Sequence, residues 1–524
     1  MIRATIGLAF LILLFLPGAA PSGRWPVLEP RLPVEAVLLA AATVLPRLAG
    51  FRLPRTARIA LSIATLLLAA VSLSDVLAPA FMGRRLDFAA DLGHAGSVIA
   101  MFAAAAGSFQ MVLAALAALL VLLLLGGLIF LALGAVERGI GRTRLGAALL
   151  LATAALAAAG TGGGLVSAKA LAALDDQGGR VVEAWRAGHG DRDSYLARLG
   201  PAPRRDADLA LLGGRDVYLI FFESYGAVLL DEPGLRSRAA PALQRFGAAL
   251  DAAGFTVASA RIASPTYGGG SWLAHGTVDS GVWLDSQLRY DLLTTTDRPT
   301  WPRLMERVGY QTIDAMPGLK EPLDSAPFWG FARMVGTDEL GYAGPDFGWF
   351  GVPDQFSLGA IAVLPRDPAR PLFEQIVLVS SHMPFSPVPP YVEDWRDAAS
   401  YAGRPELGAR PDWEHLEGPY LESVAYDLQV LADWIPRAAG GDALVIILGD
   451  HQPPALIGAA EASHDVPIHI MSRDPEIVRR LGGADFTRGA IPTRSAGTMA
   501  ELLPRFLDRL SSPRTGSESS HDPA

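Results

Sequence analysis

Leu444, Val445, Ile446, Ile447, Leu448, Gly449, Asp450 and His451 form the stretch on which the fold of the second half of this chain turns. Five apolar residues follow one another without alternation, which predicts a strand covered on both faces, as in a parallel sheet between layers of helices. Val217 to Phe222, Ile376 to Val379 and Ile468 to Met471 read the same way, and longer helical patterns separate them. The fold expected from about residue 215 onward is therefore an α/β domain with a mainly parallel central sheet. In such sheets ligands collect beyond the carboxyl ends of the strands, so the polar residues that follow each apolar run carry the chemistry. Those residues are Glu223 after the first run, Ser380, Ser381 and His382 after another, and Asp450 and His451 after the opening stretch. An Asp-His pair alone also suits a helix cap or a satisfied loop. Two carboxylates and an imidazole at equivalent strand ends offer more, the converging oxygen and nitrogen donors that a divalent cation needs. Mn²⁺ or Zn²⁺ suits that set, and Mg²⁺ is compatible with it.

A second stretch runs Ser264, Pro265, Thr266, Tyr267, Gly268, Gly269, Gly270, Ser271, Trp272, Leu273, Ala274, His275. Three glycines let backbone approach a ligand, and Ser271 opens a helical pattern whose first amides favour a phosphate. The same residues also make a plain glycine turn with a serine N-cap. His275, one helical turn on, is expected to pack against the sheet.

The chain has 524 residues, more than one core usually organises, and it divides by composition. A net charge of −9 without a basic run excludes nucleic acid as a partner. The absence of cysteine excludes disulfides, thiolate metal sites and a thiol nucleophile. Apolar stretches from Ala4 to Ala20, Pro33 to Gly50, Ala57 to Ala78, Phe109 to Val136 and Leu145 to Gly160 predict about five transmembrane helices. Arg47, Arg52, Arg55 and Arg58 between spans two and three, and Arg138, Arg142 and Arg144 between four and five, mark the cytoplasmic side. Everything after span five is then expected on the periplasmic or extracellular face of a multi-pass inner-membrane protein. A cleaved first span leaves this topology unchanged, and the short apolar piece from Ala95 to Ala106 is read as interfacial. The expected divisions are a transmembrane region over 1–168, a juxtamembrane connector over 169–214, the catalytic domain over 215–510 and a disordered tail over 511–524.

Taken in order, these motifs resemble the sulfatase-like branch of the alkaline phosphatase superfamily, nearest to lipoteichoic acid synthases and related phosphoglycerol or phosphoethanolamine transferases. DVYLIFFES (Asp216–Ser224) resembles that family's first strand and metal-binding acid, and GGGSWLAHGTVDSG (Gly268–Gly281) its nucleophile turn and helix. WFGVPDQ (Trp349–Gln355) is similar to a Trp-Gly-Asp element, SSHMPF (Ser380–Phe385) to a substrate-site histidine segment, LVIILGDH to the metal-binding Asp-His, and HDVPIHI (His464–Ile470) to a late histidine segment. The resemblance implies one divalent metal on Glu223, Ser271, Asp450 and His451, with Ser271 as nucleophile forming a phosphoserine. It implies catalytic or phosphate-binding roles for His382 and His464, and a substrate groove near Trp349, Phe350 and Asp354. The partners implied are a membrane lipid donor and a glycan, lipid or water acceptor. Leu273 and His275 stand where formylglycine-dependent sulfatases need Pro and Arg, which argues against that sulfatase chemistry. Glu223 lacks the neighbouring acids of two-metal enzymes, which favours a single cation. Thr266 is kept as a rival nucleophile, because many related transferases use Thr. A phosphodiesterase or sulfatase-like hydrolase, and a non-catalytic envelope membrane protein, are the alternative functions.

Overall fold

A computed structural model describes the chain apart from residues 1, 20–25, 83, 89–90, 93–95, 97–107, 140–147, 149–165, 190–191, 321–322, 403–411, 413–414, 459–462 and 514–524. The fifth expected span, the interfacial piece and nearly all of the expected tail therefore lie outside the described residues. The chain divides into two compact units, Met1–Arg192 and Asp193–Ala524.

The first unit is helical: α1 Ile2–Leu14, α2 Val34–Leu48, α3 Arg55–Met82, α4 Ser108–Gly139 and α5 Lys169–His189. Two of its described helices, over Arg55–Pro79 and Gln110–Gly139, are long and apolar enough to cross a membrane, with mean hydropathy 2.1 and 3.0. α1 has 13 residues and α2 has 15, so at about 1.5 Å per residue each falls short of a 30 Å crossing on its own. Leu119, Leu120, Leu122, Leu123 and Leu124 of α4, together with Val121, are all exposed. Exposure of leucines around the whole helix is what an apolar solvent, not water, stabilises. Arg58 near the start of α3 bonds Glu137 near the end of α4, so these helices pack antiparallel. Both charged groups are largely buried, and each neutralises the other.

The second unit is built on a nine-stranded sheet. Its strands are β1 Val217–Phe222, β2 Thr256–Ala263, β3 Gln311–Ala315, β4 Arg333–Val335, β5 Leu372–Val377, β6 Leu444–Gly449, β7 Asp465–Ser472, β8 Thr487–Arg488 and β9 Ser495–Thr498. The order is β8-β2-β7-β6-β1-β5-β3-β4, with β9 also against β2. The helices that concern the site are α6 Pro233–Ala252, α7 Ser271–Ser280, α8 Asp354–Ile361, α9 Glu417–Ala438, α10 Pro475–Gly482 and α11 Leu502–Leu510.

Two separate cores account for the unbroken apolar runs. Tyr218, Ile220 and Phe222 of β1 enter one core with residues of α6 and α9, such as Phe246 and Trp434. Val217, Leu219 and Phe221 enter the other, with Ala274 and Val278 of α7 and Phe506 of α11. β6 divides its side chains between the same two cores. Each fully buried Leu, Ile or Phe contributes about 1.5–3 kcal/mol relative to exposure, so a polar residue on either face of these strands would be costly.

β4, β3, β5, β1 and β6 run parallel, as expected, but β7 is antiparallel to both β6 and β2. The sheet is therefore mixed, and the run Ile468 to Met471 did not announce its direction. Burial on both faces produces a continuous apolar run whichever way the strand points. Ile376 to Val379 also differs in extent: β5 begins at Leu372, and Leu378 and Val379 are buried in the segment that leaves the sheet.

Candidate metal centre

Register places the acids. Gly449 of β6 pairs with Phe222 of the parallel strand β1, so Asp450 and Glu223 leave the sheet side by side at its carboxyl edge. Gly449 is required there, because a Cβ would stand 2.0 Å from the Tyr225 carbonyl oxygen. Ser224 has φ 55°, a left-handed conformation uncommon for serine, and its N–H reaches Asp450 Oδ1 at 2.9 Å.

Ligand atoms of Glu223, Asp450 and His451 all lie within 4.8 Å of one another, and all three residues are buried. His451 Nε2 is 3.5 Å from Glu223 Oε1 and 3.7 Å from Asp450 Oδ2. Asp450 Oδ1 accepts from the Ser224 and His451 amides, whereas Oδ2 is buried with no partner among the described residues. A buried carboxylate oxygen without a donor is costly unless a cation meets it. Nδ1–H of His451 donates to the Gln452 carbonyl at 2.8 Å, which fixes the tautomer and leaves the Nε2 lone pair facing the acids. The donor set fits one divalent cation.

The electrostatics agree with that fit. Burial, and then the charge of Glu223, push the Asp450 carboxyl up to about 6. Burial works against the His451 imidazolium, but Asp450 and Glu223 outweigh it and raise its pKa. Negative charge is thus concentrated in a dry place, and a bound cation would relieve it.

Gly268, Gly269 and Gly270 all have positive φ, and Gly270 is the N-cap of α7 in the left-handed region, where an L side chain would be strained. That turn delivers Ser271 to the cluster, with Oγ 3.1 Å from His451 Nε2 and 3.4 Å from Glu223 Oε2. The first amides of α7 begin at the same point and add their partial positive charge. Thr266 lies elsewhere: its hydroxyl meets Ser264 Oγ at 3.4 Å, and its methyl packs beneath Gly270.

His382 follows β5 through Val379 to Ser381. Its ring stacks on Trp349 at 5.8 Å and meets Phe350 edge-on at 5.0 Å, which brings Trp349 and Phe350 to the same place. Its Nδ1–H donates to the Met383 carbonyl at 2.7 Å, so Nε2 is the proton-accepting nitrogen. Burial lowers its pKa to about 4, opposed by the hydrogen bond to the Met383 carbonyl. His464 is exposed, bonds the Ser264 carbonyl at 3.3 Å and lies against the Tyr267 ring, beside the segment leading to the glycines. His275 is buried against Phe221 at 4.0 Å between ring centres, and burial lowers its pKa to about 4.

One residue was not singled out by its sequence, and another plays a part different from the one expected. Gln452 is fully buried, and its carbonyl accepts both from His451 and from the Gly268 amide, tying the histidine to the glycine turn. Its side-chain amide holds Val228, Ser463 and Asp465. Its place directly after Asp-His was the available signal. Asp354 was expected in the substrate groove, but it is fully buried and accepts from the amides of Val379 and Ser380 behind His382. An acid at the first position of a helix is also what a structural anchor looks like, and composition cannot separate the two.

The second unit is thus an α/β domain with a serine and a metal-suited donor set at the carboxyl edge of a mixed sheet. No family model and no curated protein matches the chain. Among solved structures it is similar to the lipoteichoic acid synthase LtaP from Listeria monocytogenes, with 17% identity over 53% of this chain and 70% of that one, TM-score 0.34. It is also similar to the phosphoglycerol transferase GacH from Streptococcus pyogenes, solved with sn-glycerol-1-phosphate, with 14% identity over 54% and 74%, TM-score 0.37. The integral membrane phosphoethanolamine transferase EptA from Neisseria meningitidis shows 14% identity over 91% of this chain and 87% of that one, TM-score 0.46. Function is read from the site's own geometry.

Proposed function

We propose that the chain is a membrane-anchored, metal-dependent transferase of the sulfatase-like branch of the alkaline phosphatase superfamily. It moves a phosphoglycerol- or phosphoethanolamine-like group from a lipid donor to an envelope acceptor through a phosphoserine on Ser271. The observation that carries this reading is the convergence of Ser271 Oγ with the buried donors of Glu223, Asp450 and His451. Glu223, Asp450, His451 and Ser271 would hold the metal, Mn²⁺ or Zn²⁺ by donor type. A cation there supplies electrostatic stabilisation of an anionic serine oxygen and of the phosphoryl oxygens.

Glu223 Oε2 is placed to accept the Ser271 proton as Oγ attacks phosphorus. The new Oγ–P bond forms as the bond from phosphorus to the lipid alcohol breaks, the departing oxygen taking a proton from water, and the amides opening α7 bind the phosphoryl oxygens. In the second half an acceptor hydroxyl attacks the phosphoserine, its proton passing to Nε2 of neutral His382, while the Oγ–P bond breaks and Ser271 Oγ takes its proton back from Glu223. Trp349 holds the imidazole plane by stacking on it, and His464 is assigned to bind the phosphate or the leaving group.

The test is incubation of the full-length protein in detergent with headgroup-labelled phospholipid and candidate glycan or lipid acceptors. Transfer product, with labelled protein in acceptor-free samples, supports the proposal. Free headgroup without any transfer product makes the protein a hydrolase and removes the transferase reading.

A further inference from the structure

A cavity of about 600 Å³ lies at the other end of α7. Arg205, Arg298, Arg303 and Arg307 line it, with Asp297 as the one acid. In a chain of net charge −9 this is a local reversal of sign. The Asp297 carboxylate is fully exposed and 3.8 Å from Arg205, so it offsets one guanidinium at most.

Backbone carbonyls, not acids, hold these arginines. Arg298 donates to the carbonyls of Ser280, Gly200 and Pro201 at 3.0, 3.0 and 2.6 Å. Arg303 donates Nε to Phe328 and Nη2 to Pro327, and Arg307 donates Nη2 to Ala207 at 2.7 Å. Nη1 of Arg303, and Nε and Nη1 of Arg307, have no acceptor among the described residues. Four residues apart on the helix Trp301–Arg307, the two forks project from one face. Their planes are already fixed by the carbonyls, so little side-chain entropy remains to be lost on binding. Guanidinium groups crowded around a cavity repel, and a bound dianion with oxygens for both forks would turn that repulsion into attraction.

We infer that this cavity is a second anion site that takes the phosphate of a phosphate ester, separate from the metal centre. Ser280, whose carbonyl Arg298 holds, closes the ten-residue helix that Ser271 opens. At about 1.5 Å per residue the two ends stand about 14 Å apart, too far for one phosphate to occupy both. The volume admits phosphate with a glycerol-sized substituent.

The test uses full-length protein in detergent treated with a chelator, which takes the metal centre out of the measurement and makes the outcome independent of the proposed function. sn-Glycerol-1-phosphate is titrated in one arm and phosphatidylglycerol in mixed micelles in the other, each by calorimetry at low and high salt. One equivalent should bind in at least one arm, more weakly at high salt. Affinity should fall at least tenfold in Arg303→Gln/Arg307→Gln and remain in Arg245→Gln, an exposed arginine outside the cavity. Binding of the soluble ester identifies free or glycan-linked phosphate as the source, and binding only from micelles identifies a lipid headgroup. If the double variant fails to fold, Arg307→Gln serves, since it gives up one carbonyl contact. No binding in either arm, or equal loss in Arg245→Gln, overturns the inference.

Discussion

Two groups of buried carboxylates lie near each other in the second unit, and each leaves oxygens without donors, but in different company. At the carboxyl edge of β1 and β6, Glu223 and Asp450 face a histidine and a serine, and Asp450 Oδ2 has no donor. Behind β5, Asp354 gives its oxygens to the Val379 and Ser380 amides. Burial and the charge of Asp354 push Asp427 beside it well above the carboxylate range, and neither Asp427 oxygen has a hydrogen-bond partner among the described residues. Only the first group adds a third ligand-type residue, His451, within metal-binding reach among the described residues. Burial, acidity and bare oxygens therefore do not by themselves mark a site, whereas their convergence with an imidazole does.

The largest expected effect comes from removing what only the first group has. Ser271→Ala should lower transfer by at least about 10³-fold and abolish labelled protein, while Thr266→Ala retains both. Equal losses in the two variants would return Thr266 to the nucleophile's place. Asp450→Asn should next abolish stoichiometric metal in elemental analysis. Saturating Zn²⁺ or Mn²⁺, at about 100 times Kd, should stabilise the unsubstituted chain by about 2.7 kcal/mol and the variant not at all. Without metal the variant should unfold no more easily than the unsubstituted chain, since repulsion from Glu223 is gone.

Asp354→Asn should behave in the reverse manner. The amide nitrogen would stand where Oδ1 now accepts from the Val379 N–H and set donor against donor, so stability should fall by about 1–3 kcal/mol with or without metal. Metal content should stay whole; a loss of metal at this position would erase the distinction between the two groups. A pH dependence that leaves activity and metal untouched concerns Glu374 on β5, which burial pushes up to about 8. A carboxyl raised in the folded chain keeps its proton there and gives it up on unfolding. Its contribution to stability is complete below the unfolded value and is lost as pH rises through about 8. Between about pH 4.5 and 8, Glu374→Gln should flatten the fall in stability by at most about 1.4 kcal/mol per pH unit.

Much of this was legible beforehand for identifiable reasons. β1 and β6 were readable because strands buried on two faces need apolar residues at every position. Glu223, Asp450 and His451 were readable because parallel strands end on one edge, so residues that follow them in sequence meet in space. β2 was not picked out, because its buried positions include small and polar residues such as Ala260 and Ser259. The direction of β7 was not legible for the reason given by its burial. Asp354 was misplaced because a polar residue after a glycine-rich loop reads the same whether it faces ligand or holds backbone.

The sequence by itself determined which segments are apolar, where strands end, and which residue types stand at those ends, since these depend on local pattern and solvation. Only the tertiary structure decided that Ser271 and not Thr266 reaches the acids. That choice rests on three positive φ angles and one shared carbonyl at Gln452. It likewise decided that one aspartate oxygen is left bare while another acid is fully bonded. Hydrogen-bond satisfaction is a property of neighbours brought together from distant parts of the chain, and no single position in the sequence records it.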